Sequence, residues 1–119
     1  MLKILERSHG NFIGIEASGE ISENDISEIT PQLDELIERY GKISWLFVIK
    51  TGRYETVRAF YEDISWLLRN LKHFDRMAIV GETKAEELLV KADGLLFGEK
   101  YFDISAIDEA WKYIEGIEN

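Results

Sequence analysis

Ile43-Ser44-Trp45-Leu46-Phe47-Val48-Ile49 decides how the rest of this chain is read. Six of these seven residues are apolar, and the β-branched and aromatic types that fit a pleated surface dominate. A near-continuous apolar run of strand length needs cover on both faces, which is the pattern of an interior strand in a parallel sheet. Helices must therefore flank it in sequence, and they do. Upstream, residues 23–40 place Ile26, Ile29, Leu33, Leu36, Ile37 and Tyr40 on one helical stripe. Ser22 with Asp25 three residues later forms a capping box, and Gly41 suits the residue just past the end. Pro31 lies inside this stripe and predicts a kink, or a break with Thr30 capping a second segment. Downstream, residues 56–71 place Val57, Phe60, Tyr61, Ile64, Leu67, Leu68 and Leu71 on one stripe.

Further out the pattern continues. Residues 2–7 and 12–18 read as strands, joined by the turn Ser8-His9-Gly10-Asn11 into an antiparallel hairpin. A strand over 76–80 ends at Gly81, and Thr83-Lys84-Ala85-Glu86 is a capping box for a short helix that stops near Gly94. Residues 95–102 hold a last strand, broken by Gly98. Ser105 or Asp103 then caps a final helix with Ile107, Ala110, Trp111, Ile114 and Ile117 facing inward. The order β-β-α-β-α-β-α-β-α predicts one α/β domain over residues 1–119, a mostly parallel sheet flanked by helices with an N-terminal hairpin.

Composition narrows the function classes. The 119 residues suit a single core, and 45% apolar with 31% charged suits a packed interior under a solvated surface. No apolar run approaches the ~20 residues that cross a bilayer, so no membrane insertion is expected. The start Met1-Leu2-Lys3-Ile4-Leu5-Glu6 has no apolar signal core, and a cytoplasmic protein is expected. The absence of cysteine removes disulfides, thiolate catalysis and cysteine-ligated metals. With 14 basic against 23 acidic residues the formal charge is −9, a poor match to the phosphate backbone of nucleic acid.

Two stretches carry a resemblance. Tyr61-Glu62-Asp63-Ile64, followed by His73-Phe74-Asp75-Arg76-Met77-Ala78-Ile79-Val80-Gly81, resembles the W-x-D-L-like helix and H-x-x-D-F-x-R-x-A-V-V-G-like strand of the SpoIIAA-like proteins. That group is related to STAS and SEC14 domains. Tyr101-Phe102 and the late Trp111 match its tail, and the likeness spans residues 43–114. Four positions depart from the pattern. Tyr61 stands where Trp is usual, Asn70 where His is usual and Ser65 where Lys is common, and His73 takes the usual acidic position. The resemblance implies a STAS-type α/β fold, and most of its motif concerns packing.

Candidate functional residues follow from the topology. Open α/β sheets bind ligands at the carboxyl ends of their strands. That rim would hold Lys50, Thr51, Arg53, Tyr54 and Thr56, with Glu82 and Thr83 from the next strand. Helix starts at Thr56 and Thr83 favour anions, and Lys50 and Arg53 add positive charge. In STAS-type anti-anti-sigma proteins a Ser or Thr at the start of the helix after the third strand is phosphorylated. The resemblance carries that role to Thr51 or Thr56, although the D-S-[ST]-G-like signature is absent here. Counted at 100° per residue, Ala59, Asp63, Trp66 and Asn70 form a stripe opposite the apolar one, so Trp66 is expected outside, as a homodimer or partner interface. The SEC14-like side of the resemblance implies instead a carrier of a small amphipathic or apolar ligand, lined by Phe60, Tyr61, Phe74 and Phe97.

Catalytic chemistry finds little support. His9 and His73 are isolated, and Glu62/Asp63 and Glu86/Glu87 are helix neighbours rather than converging acid–base pairs. No Walker loop, G-x-S-x-G elbow or H-E-x-x-H pattern occurs. The sequence thus predicts no cofactor, no metal and a non-catalytic binding module, with a small-molecule enzyme at the loop rim as the remaining reading.

Overall fold

In the computed structural model the decisive run forms strand β4 (Ile43–Ile49) at the centre of a five-stranded sheet. The structure describes residues 1–50, 53–54, 56–81 and 99–117, apart from the side chains of Arg53, Val57 and Phe60. The predicted helix over 83–94 lies outside them, as do Glu82, Thr83 and Phe97. The sheet runs β1 (Leu2–Ile4), β2 (Phe12–Ala17), β4, β6 (Phe74–Gly81), β7 (Lys100–Asp103) in space. Among the described strands of this sheet only the β1–β2 pair is antiparallel.

Alternation along β4 explains its composition. Ile43 and Trp45 enter a core with Ile29, Leu33, Trp66, Leu67 and Met77, under helices α1 (Glu23–Tyr40) and α2 (Val57–Asn70). Leu46 and Val48 enter the opposite core with Ala78, Val80, Trp111 and Ile114, under helix α3 (Ile107–Glu115). Ser44 is the buried polar exception, and it is fully used. Its backbone N–H donates to Asn11 O at 2.9 Å, and its Oγ accepts from the Arg76 N–H at 3.2 Å. That side-chain bond sits where the β4–β6 register shifts between Ile43 and Trp45. On the α3 face, Gly14 is required by contact: a Cβ there would lie 2.6 Å from Trp111 Cζ2.

Several expectations need correction. Helix α1 runs through Pro31 without a break, so the two-segment alternative falls. Burial of Ile26, Ile29 and Leu33 on both sides of the proline holds the helix together. The last strand is described from Lys100 to Asp103, and residues 95–98 of the predicted stretch lie outside the described residues. Ile117 is exposed, because Gly116 with φ 76° ends α3 before it. A two-stranded parallel pair, β3 (Glu20–Ile21) with β5 (Arg53–Tyr54), was not foreseen at all.

The largest correction concerns α2. Trp66 is 6% exposed, whereas Tyr61 and Leu68 are 69% and 55% exposed. The helix is turned by roughly a third of a revolution from the reading that averaged its apolar positions. It has two neighbours, the sheet and α1. The sheet takes Leu67, and α1 takes the flank that carries Ala59 and Trp66. The stripe Ala59, Asp63, Trp66, Asn70 therefore faces inward, and the interface expected there is withdrawn.

Candidate functional site

The β3–β5 pair sits at the carboxyl ends of β2 and β4, where it straps the loop after β4 to the segment leading into α1. Its register is Glu20 opposite Arg53 and Ile21 opposite Tyr54. From this strap Tyr54 reaches α2, and its hydroxyl donates to Asp63 Oδ2 in a short hydrogen bond. Thr56 follows as the N-cap of α2. Its Oγ accepts from the Ala59 N–H at 3.0 Å, and its hydroxyl donates to Glu23 Oε1 at 3.4 Å. Ser22 caps α1 on the same rim, with Asp25 Oδ2 accepting from the Ser22 N–H at 2.9 Å. Of the expected rim residues, Tyr54 and Thr56 stand at this end of the sheet, one bonded to Asp63 and the other to Ala59 and Glu23. Thr51, Glu82 and Thr83 lie outside the described residues, and Arg53 is placed by its backbone alone.

Among the described residues of this rim, Lys50 and Arg58 are both met by carboxylates. Lys50 Nζ lies 3.3 Å from Glu16 Oε1. Arg58 Nε lies 3.3 Å from Glu62 Oε1 and 3.8 Å from Glu23 Oε1. The positive charge that Lys50 was expected to offer an anion is therefore met internally. Hydrogen bonds from Ser22 hold the Asp25 carboxyl below the usual carboxylate range, against some desolvation. Asp63 moves the other way. Burial raises its carboxyl above that range, and the Tyr54 hydrogen bond opposes this only in part.

The former outward stripe is a polar seam between helices. Trp66 Nε1 donates to Asp34 Oδ1 of α1 at 3.0 Å, and Asn70 Nδ2 donates to Trp66 O at 2.9 Å. A buried indole keeps its N–H satisfied in this way while its ring meets Phe74 edge-on at 5.9 Å. Asp34 is the partner that sequence reasoning missed. The signal was present, a carboxylate one residue past Leu33 on the α1 stripe, but nothing local links it to Trp66 thirty-two positions away.

Of the residues named for a carrier pocket, Phe74 is core, in ring contact with Trp45 at 4.9 Å, and Tyr61 is exposed, while Phe97 and the Phe60 side chain lie outside the described residues. Open grooves among the described residues include the following two. One, of about 320 Å3, lies between the hairpin turn and α1, lined by Ser8, His9, Phe12, Gln32, Glu35 and Leu36 among others. The other, of about 340 Å3, lies between α1 and α2, with Ile26, Thr30, Tyr61, Glu62, Trp66 and Arg69 in its walls. His9 pairs with Glu115 at 3.1 Å, and His73 Nδ1 lies 3.2 Å from Gly41 O, both structural contacts. Among the described residues no three His, Asp or Glu side chains gather as metal ligands. No described helix is long and apolar enough to cross a membrane.

Comparison with known proteins agrees with this architecture. The sequence profile of the SpoIIAA-like family matches residues 12–115. The fold is similar to that in the crystal structure of an uncharacterized protein of the DUF3478 family with a SpoIIAA-like fold, from Shewanella loihica PV-4. The TM-score is 0.76 at 19% identity, covering 95% of this chain and 93% of that one. No curated protein matches the chain.

Proposed function

The chain belongs to the SpoIIAA-like family, and from that premise we propose that it is a non-catalytic, STAS-type regulatory module of the cytoplasm that binds a protein partner at the rim around Thr56. The observation that carries this reading is the position of Thr56. It is exposed, stands at the N-cap of α2 directly after the strap, and belongs to a rim where Lys50 and Arg58 are already paired. With Lys50 and Arg58 both held by carboxylates, this rim suits reversible protein contact better than capture of a small anion.

Thr56 also suits regulation by phosphorylation. Its Oγ caps the helix and its hydroxyl proton is directed at Glu23. A phosphate would remove that proton and add up to about two negative charges beside a carboxylate. The helix would keep a favourable anion at its start, so the change would fall on the partner surface rather than on the fold.

Site-specific photo-crosslinking tests the reading. A crosslinker at Thr56 should give an adduct of one defined mass in cell extract, while the same group at Lys42, at the far end of the sheet, should not. The Thr56→Glu variant should weaken binding of the captured protein by about tenfold or more. Equal labelling from both positions, or unchanged affinity of Thr56→Glu, would remove the proposal.

A further inference from the structure

The outer face of α2 carries two of the large apolar side chains left exposed among the described residues. Tyr61 and Leu68 are seven residues apart, 69% and 55% exposed, and Ser65 stands between them. At 100° per residue the three fall within roughly 60° of each other, on the side away from Ala59, Trp66 and Asn70. Glu62 and Arg69 border this face and also line the groove against α1. Arg69 is exposed and makes no ion pair among the described residues. Glu62 uses Oε1 for Arg58 at 3.3 Å.

The order of these residues has a symmetry. Reading outward from Ser65, Tyr61 and Glu62 on one side mirror Leu68 and Arg69 on the other. An antiparallel copy of the same helix, related by a two-fold axis at Ser65, sets Tyr61 against Leu68 and Glu62 against Arg69. The axis repeats both contacts in the other direction, as an isologous interface requires. A small residue at the crossing lets two helices approach closely. Exposed apolar side chains are buried, and the unpaired Arg69 meets a carboxylate. The one like-charge approach, Arg58 towards Lys72, is weakened because Arg58 is already held by Glu23 and Glu62.

We propose that the outward face of α2 (Tyr61, Glu62, Ser65, Leu68 and Arg69) is the interface of a homodimer in which two copies of this helix pack antiparallel about Ser65. The occupant is a second copy of this chain because Glu62 and Arg69 complement each other across the two-fold axis. This proposal does not depend on partner binding at Thr56.

Sedimentation equilibrium over a concentration series tests it. The wild type should approach twice the chain mass, and Leu68→Glu should sediment as a monomer with an unchanged circular dichroism spectrum. Glu62→Arg and Arg69→Glu should each raise the dimer dissociation constant by about tenfold or more, since each opposes like charges twice. Mixing these two single variants should restore dimers, because both cross-pairs then join opposite charges, and the double variant should also dimerise. A wild type that stays monomeric, or a dimer unaffected by Leu68→Glu, overturns the proposal. So does failure of the mixed variants to associate, which points to a different register or to a heterologous partner on this face.

Discussion

Asp63 shows how one residue can be placed correctly in sequence and misread in role. Its position on a helical stripe is plain from spacing, but its surroundings depend on Tyr54, nine residues earlier on a strap that no local pattern announces. Burial raises its carboxyl above the usual range. The sign of the resulting pH effect follows from that direction. A carboxyl raised on folding contributes stability while it is protonated in both states, and loses that contribution as pH rises through its folded value. Above the ordinary carboxylate range the raised Asp63 carboxyl therefore costs stability. Asn keeps an oxygen that can accept from the Tyr54 hydroxyl and carries no charge. Asp63→Asn should accordingly melt higher than wild type at pH 7, and the gap should close as the solution is acidified. Thermal melts at a series of pH values check this, and a gap that widens towards acid would contradict the burial argument. A carboxylate kept against such a cost is a common mark of a functional position.

Between elements, the closest approach is that of β2 to α3 at Gly14, where an added methyl would meet Trp111 Cζ2 at 2.6 Å, Trp111 Cη2 at 2.7 Å and Leu5 Cδ1 at 3.1 Å. Trp111 is itself buried and held by Arg7, whose guanidinium lies 5.2 Å from the ring centroid while bonded to Asp108 at 2.8 Å. The ring cannot yield easily, so Gly14→Ala should cost about 1–3 kcal/mol in urea unfolding, with the slope unchanged. Sequence reading found the glycine in a strand but could not see the tryptophan above it. The same limit explains α2. Periodicity reports which positions are apolar, and α2 packs on both the sheet and α1, so its inward side carries the partly buried Asp63 and Asn70 and leaves Tyr61 and Leu68 exposed. Caps were legible because they are local: Ser22 with Asp25, Thr56 and Gly41 all act within four residues of themselves. The β3–β5 strap was not, because each of its strands has two residues and its partner lies more than thirty positions away.

At the scale of the whole molecule, the run Ile43–Ile49 was sufficient to predict the architecture because burial on both faces is a property of the sheet's centre alone. The strand order places β4 between β2 and β6, with helices above and below, and leaves β1 and β7 as edges. The same asymmetry governs local stability, since backbone amides at the centre can exchange only when the layers on both sides come apart. Amide hydrogens of residues 45–48 should therefore exchange at the rate of global unfolding, and those of β1, three residues long and paired on one side, faster by about two orders of magnitude or more, equivalent to roughly 3 kcal/mol of easier opening. Exchange followed by NMR separates the two directly. If β1 proved as protected as β4, its outer edge would have to be covered by another chain, and the dimer would have to be sought there rather than on α2.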